Sequence, residues 1–380
     1  PGEAAATAGG TGGDMLRTLT PRSRRILMTV DAVGGVWRYA LDLARELVNG
    51  GDSVVLAGLG PQPSRQQAAE AEAFTTLIWL STPPDWMTRN GGDLDALPRE
   101  LLAPMRDHAI DLVHFNAPTQ AAGFDAPCPA VVVSHSCVTT WFHAVRKQAV
   151  DGAWAWQKER NRRGLDRADA VIVPSRSHAD MLETCYGPIA RLSVVGNSAS
   201  PVPKTEKRQP LVFAAARWWD EGKNAAVIDQ AASLTQWPVF AAGSMHGPNG
   251  GRTSFSYAVP LGALPSHEVR SLMARAGIFV SPSIYEPFGL AALEAAMSAT
   301  PLVLSDIATY RELWDGAAMF FHARNPHDLA ACLNRLSSDV ELRRELGQAA
   351  LRRSRRFTLA RQAAAMRGIY DKAALAMAGR

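Results

Sequence analysis

Residues 278–300 carry two carboxylates, Glu286 and Glu294, with seven residues between them, and Pro287 and Gly289 fall in that interval. The apolar run Ile278–Val280 predicts a buried strand and Pro282 and Pro287 a turn. The fixed φ of Pro287 suits a first helical position, so a helix is expected to begin near it. Gly289 would leave the first turn bare, letting backbone N–H groups and the positive end of the helix dipole approach a phosphate. At ~1.5 Å per residue, Glu294 would lie about 12 Å beyond Glu286. Carboxylates beside a phosphate site accept hydrogen bonds from hydroxyls, and a ligand with hydroxyls at both ends of a diphosphate is a nucleotide-sugar.

Other residues suit the same ligand. Arg217 and Lys223 follow an apolar strand and flank a turn, the place where an open α/β sheet binds ligands, and they can stabilise charge growing on a diphosphate leaving group. Gly34-Gly35 follows the first strand and admits close backbone approach. No G-x-G-x-x-G fingerprint accompanies it, and the second strand ends Leu56-Ala57-Gly58 without a ribose-binding acid, which argues against a dehydrogenase. His135 follows the run Val131–Ser134 and is the best placed of nine histidines. His114 lies within a strand and His143 within an expected helix. Trp37 and Arg38 beside the glycines, and Trp141, Phe142, Trp154 and Trp156 after His135, have faces that stack on sugar rings, although the same spacing serves a core.

Short apolar strands alternating with helical patterns predict parallel α/β sheets. Strands are expected at residues 26–30, 53–57, 77–80, 112–115, 130–134, 170–173 and 192–195, then at 211–215, 239–242, 257–261, 278–280, 302–304 and 318–321. A helix is expected over Val36–Val48, with Trp37, Ala40, Leu41, Ala44 and Leu47 on one face and Gly50-Gly51 ending it. The polar, proline-bearing residues 198–210 read as a linker, and the chain beyond Asn325 as helical. The 380 residues, 47% apolar, suffice for two cores. No apolar run approaches the ~20 residues of a membrane span, and the Ala/Gly-rich start is expected to be disordered and shows no signal-peptide pattern. Pro1 in place of Met leaves the natural N-terminus open, so a cytoplasmic location is a default expectation. Cys128, Cys137, Cys185 and Cys332 show no metal or disulfide spacing. Net charge is only +4, yet Arg343, Arg344, Arg352, Arg353, Arg355 and Arg356 cluster, reading either as a solvated helix face or as a patch meeting an anionic membrane.

The segment Glu286-Pro-Phe-Gly-Leu-Ala-Ala-Leu-Glu294 resembles the E-x7-E signature of the retaining glycosyltransferases of family four. That resemblance extends over nearly the whole chain through Gly34-Gly35, His135, Asn197 in Val194–Asn197, and Arg217 with Lys223. It implies the GT-B fold: two Rossmann-like domains facing across a cleft, with the last helix, expected over Leu359–Ala376, crossing back onto the first domain. The implied division is a leader over 1–22, an acceptor domain over 23–200 joined by helix 357–380, and a nucleotide-sugar domain over 201–356. Glu294 would hold the ribose, Glu286 a donor-sugar hydroxyl, Arg217 and Lys223 the diphosphate, and His135 a sugar hydroxyl. Gly34, Gly35, Asn197, Gly262, Phe288, Gly289 and Leu290 would complete the donor site, with Gly262 in the turn Leu261–Pro265 near the nucleobase. Trp37, Arg38, Trp141 and Phe142 would be the acceptor side.

The resemblance further implies a hexosyl transfer in which the leaving phosphate takes the acceptor's proton, with no catalytic nucleophile, no metal and no cofactor. A UDP- or GDP-linked sugar is the co-substrate, and a glycan, lipid or small molecule the acceptor. Gly196-Asn197-Ser198 in place of Pro-Asn-Gly and Ala216-Arg217 in place of Gly-Arg depart from the family pattern and leave donor base, sugar and acceptor open. A phosphorylase or sugar-nucleotide isomerase on the same anion site, or a non-catalytic GT-B binding protein, stands as an alternative. A nucleic-acid or membrane module would explain the arginines but not the paired glutamates, and no nucleic-acid partner is expected.

Overall fold

A computed structural model describes residues 23–200, 207–247 and 250–379. The expected leader, and residues 201–206 of the expected linker, lie outside the described residues. Seven parallel strands form the first sheet: β1 Arg25–Asp31, β2 Ser53–Leu59, β3 Thr76–Trp79, β4 Leu112–Phe115, β5 Ala130–Val133, β6 Ala170–Val173 and β7 Leu192–Val194, in spatial order β3-β2-β1-β4-β5-β6-β7. Six parallel strands form the second: β8 Gln209–Ala215, β9 Val239–Ala242, β10 Val259–Gly262, β11 Ala276–Ser281, β12 Leu302–Ser305 and β13 Met319–Phe321, in order β10-β9-β8-β11-β12-β13. Both are Rossmann-like sheets with helices on each face. Every strand from β4 to β6 is buried throughout, which is why it reads as an unbroken apolar run.

Each sheet reverses its winding once, between β1 and β4 in the first and between β8 and β11 in the second. Ligands of open α/β sheets collect at such switch points, beyond the carboxyl ends of the strands. Gly34-Gly35 follows β1 and Asn116 follows β4, while Arg217 follows β8 and the Glu286 loop follows β11. The two switch points therefore supply Gly34, Gly35, Arg217 and Glu286, whereas His135 follows β5, Asn197 follows β7 and Gly262 ends β10.

The helix expected from Val36 runs over Gly35–Asn49 and buries Trp37, Ala40, Leu41, Ala44 and Leu47 in the first core. After Asn325 the chain is helical over Pro326–Ser338, Val340–Ser354 and Leu359–Ala378. The last helix crosses back as expected: Ala363, Met366, Tyr370 and Ala373 join the core under the first sheet, and Arg367 donates to Asp52 and to the Leu47 carbonyl. Ser198, expected in the linker, is instead buried and its hydroxyl donates to Gln362 of that helix at 2.5 Å.

The strand expected over 257–261 forms two residues later, because the Asp229 carboxylate takes the N–H groups of Ser256, Tyr257 and Ala258. In the basic cluster, Arg343 donates to the Ser337 carbonyl at 2.8 Å and covers Trp237. Arg353 donates to the Leu313 and Asp315 carbonyls. These two arginines cap helix ends rather than present free charge. No helix among the described residues is long and apolar enough to cross a membrane.

Candidate active site

The second sheet builds a cradle from the loops after β8 and β11. Asn224 takes a left-handed conformation (φ 59°) and ends the turn Glu221–Lys223. The turn is fixed by Asp220, whose carboxylate accepts from Gly222 N–H at 2.8 Å. Lys223 is thereby aimed at the Glu286 loop, and its Nζ lies 2.7 Å from Glu286 Oε2, the two side chains 13% and 20% exposed. The carbonyl of Gly222 accepts from Ile284 N–H at 2.9 Å, tying that loop to the lysine turn.

The helix that carries Glu294 begins at Leu290 rather than near Pro287. Gly289 stands just ahead of it at φ 91°, a left-handed conformation that interrupts helical geometry and keeps Pro287 in the loop. A Cβ on Gly289 would lie 2.8 Å from Tyr310 Cε1 and 3.4 Å from Glu286 Cγ, so the glycine is required by packing as well as by φ. Gly243 was not singled out from the sequence. A Cβ there would fall 1.8 Å from the Ala216 carbonyl oxygen, and its N–H donates to the Gly262 carbonyl at 2.7 Å, so the turns after β8, β9 and β10 close on one another.

The first sheet meets this cradle from across the cleft. Arg217 is exposed, with its guanidinium 5.6 Å from the Trp219 ring centre, and its Nη1 lies 3.7 Å from where a Gly34 Cβ would stand. The corresponding point on Gly35 is 3.5 Å from Leu290 Cδ1. The glycine pair thus lets two backbones approach at the point where the cations and the helix N-terminus converge. The Glu286 loop is also pinned from the first sheet on both flanks: Tyr285 and Thr140 share a hydroxyl hydrogen bond at 2.8 Å, and Ser175 donates to the Pro287 carbonyl at 2.7 Å.

Burial raises two of the carboxylates, Glu294 and Asp31. Burial pushes Glu294 up to about 7, opposed by Arg270, reinforced by Asp42 and opposed again by Arg38. Asp31, at the end of β1, is pushed up to about 6 by burial, against its bond from Val33 N–H, and further by Asp85 and then lowered by Arg217. Burial lowers His135 to about 3, helped by the neighbouring His114 and His178, so the ring is neutral at physiological pH. Its Nε2 lies 2.9 Å from Asn116 Oδ1, and Tyr39 packs edge-on at 4.4 Å between ring centres.

Several expected ligand contacts are placed elsewhere. Trp37 is 5% exposed in the first core, so its ring cannot stack on a sugar. Arg38 is held by Asp42 at 3.2 Å and Glu70 at 2.7 Å. Trp141 donates its indole N–H to Asp220 at 2.8 Å, and Phe142 is buried. The Arg146 guanidinium sits 5.0 Å from each ring centre and pairs with Glu221. These aromatics therefore join the seam to the lysine turn instead of offering faces to an acceptor. Trp156 packs against Gly91, and Trp154 is half-buried. The Phe288 ring is buried against Phe357 at 5.3 Å between centres, leaving only its backbone for a ligand. Asn197 is buried beside Gly196, which packs on both rings.

Comparison with known proteins bears on the family and the fold. The pattern described as Glycosyltransferase Family 4 matches residues 33–201, and the one described as Glycosyl transferases group 1 matches residues 260–353. The chain is similar to alpha-maltose-1-phosphate synthase of Mycolicibacterium smegmatis, 36% identical over 94 residues that make up 23% of this chain and 24% of that protein. It is 26% identical to glycogen synthase of Mycobacterium tuberculosis over 322 residues, 72% of this chain and 75% of the relative. Several relatives are thus matched over only about a quarter of their length. In structure it resembles sucrose-phosphate synthase of Thermosynechococcus elongatus (TM-score 0.74, 17% identity, 94% of this chain and 100% of that one). It also resembles Anabaena HepE in complex with UDP and glucose (TM-score 0.70, 15% identity, 94% and 100%). At these identities the likeness shows the GT-B fold.

Proposed function

Since the chain belongs to the family-four glycosyltransferases, we propose that it moves a sugar from a nucleoside-diphosphate sugar to a hydroxyl acceptor with retention and without a divalent metal. The observation that carries this reading is the half-buried Lys223–Glu286 pair at 2.7 Å, ahead of the helix that carries Glu294 and facing Arg217 and the glycine pair. Lys223, Arg217 and the N–H groups of that helix offset the charge on the departing diphosphate, each such donor being worth ~3 kcal/mol. Glu294 accepts from the ribose hydroxyls and Glu286 from a donor-sugar hydroxyl. The bond from the anomeric carbon to the phosphate oxygen breaks as the acceptor oxygen bonds on the same face. The acceptor's proton passes to the leaving phosphate. His135, neutral, accepts from a sugar hydroxyl and needs no titration of its own.

The HepE complexes with UDP, UDP-glucose and glucose favour uridine donors as the first to try. The test is to incubate the protein with UDP-, GDP-, ADP- and dTDP-linked hexoses, a set of sugar, lipid and small-molecule hydroxyl acceptors, and EDTA, then read the anomeric coupling of the product by proton NMR. Transfer in EDTA with the donor's anomeric configuration is expected. An inverted product, or transfer abolished by EDTA, overturns the reading.

A further inference from the structure

His135 sits at one end of a buried hydrogen-bond chain that reaches the C-terminal helix. Its Nε2 is 2.9 Å from Asn116 Oδ1. The same oxygen lies 3.2 Å from His114 Nε2, and His114 Nδ1 is 2.7 Å from the Tyr370 hydroxyl. Asn116, His114 and Tyr370 are 5%, 0% and 0% exposed, so water does not supply alternative partners.

The proton positions in this chain follow from one fixed acceptor. Asn116 Nδ2 lies 2.6 Å from the Thr29 carbonyl, and a carbonyl can only accept, so that end of the amide is the NH2. Asn116 is held further by its own N–H, which donates to Thr29 Oγ1 at 2.9 Å, while that hydroxyl donates to Gln120 Oε1 at 2.6 Å. Oδ1 is then an acceptor facing two imidazoles, and each must bring an N–H. Both His135 and His114 are therefore Nε2–H tautomers. His114 Nδ1 is left as a lone pair, and Tyr370 must donate to it. Both rings are neutral, burial lowering His114 to about 4. His135 is partly exposed just beyond β5, and Nδ1 is left as its lone-pair nitrogen.

We propose that Asn116 is a positioning residue: its Oδ1, fixed by the Thr29 carbonyl, holds His135 as the neutral Nε2–H tautomer with Nδ1 as the acceptor for a substrate hydroxyl, while Tyr370 of the C-terminal helix holds His114, the second donor to that oxygen, in the same tautomer. The catalytic consequence rests on the role given to His135 above; the tautomer does not.

The test uses the full chain labelled with 15N-histidine. Two-bond 15N–1H correlation spectra at neutral pH distinguish the two neutral tautomers and the imidazolium, with His135 and His114 assigned by His135→Gln and His114→Gln. Nε2–H signatures for both rings are expected. An Nδ1–H or imidazolium His135 overturns the proposal, whether or not the protein transfers sugar. In Asn116→Ala, which removes the fixed acceptor, the His135 signature is expected to become a mixture, whereas Tyr370→Phe should alter the His114 signature alone. The kcat of Asn116→Ala should fall roughly 5- to 10-fold, the scale of one neutral hydrogen bond, with unchanged affinity for the nucleoside diphosphate. An unchanged kcat and spectrum, or an equal loss in nucleotide affinity, also overturns it. Failure of every donor with the tautomer intact would instead remove the proposed reaction and leave this assignment standing.

Discussion

Replacing Lys223 by Met separates the structural and catalytic uses of the ion pair. At 2.7 Å the attraction is about 6 kcal/mol for an effective dielectric of 20, most of it cancelled by desolvation. Removing one partner of a buried pair costs about 3–5 kcal/mol, because the other charge is stranded. With 13% and 20% of the side chains exposed, about 2–3 kcal/mol is expected for Lys223→Met. The double variant Lys223→Met/Glu286→Gln strands no charge and should lose only about 1 kcal/mol. Urea denaturation of both variants and of Glu286→Gln gives the coupling. Sugar transfer should fall roughly 10²- to 10³-fold in Lys223→Met and not recover in the double variant. A Lys223→Met protein as stable as wild type, or a double variant that regains transfer, would refute the reasoning.

Gly289→Ala should lower stability by about 1–2 kcal/mol from its left-handed φ of 91°, with a further cost from the 2.8 Å approach to Tyr310, and weaken diphosphate binding; thermal melting with and without ligand reads both. Glu294 is raised by burial to about 7 from an ordinary 4.5, so the folded state holds the extra proton between those values. Its contribution to stability is therefore full below about pH 4.5 and is lost as pH rises through 7. Glu294→Gln should remove this component from melting curves across pH 4–8, leaving the contribution of the same sign from Asp31 and those of opposite sign from the buried His114, His135 and His178. Glu312 accepts from Arg176 N–H and Ser177 N–H across the seam at 2.8 and 2.7 Å, so Glu312→Ala should cost about 1 kcal/mol, measured by urea denaturation.

The two sheets were legible because parallel strands buried on both faces read as short apolar runs, and most strand ends fall within a residue or two of expectation. The helix start was not: Pro287 is locally compatible with a first turn, and only the packing of Gly289 on Tyr310 moves the start to Leu290. Spacing brought Glu286 and Glu294 to notice but could not reveal that Lys223 pairs with Glu286, a contact 63 residues apart. Trp37 and Phe142 carried helical spacing equally consistent with a core, and burial decided for the core. His114 was set aside as a strand residue. It is one, yet Asn116 joins it to His135, and Tyr370, 256 residues on, holds its other nitrogen, contacts that no local pattern records.

The most direct test of the account is calorimetric titration of wild type and Glu294→Ala with UDP, GDP, ADP, dTDP and inorganic pyrophosphate. The account predicts that one nucleoside diphosphate binds wild type well above the others and loses about tenfold or more in Glu294→Ala, the worth of about 1.4 kcal/mol of ribose contact, while pyrophosphate is unaffected. No binding of any nucleoside diphosphate to folded wild type, or equal affinity in the variant, would contradict it.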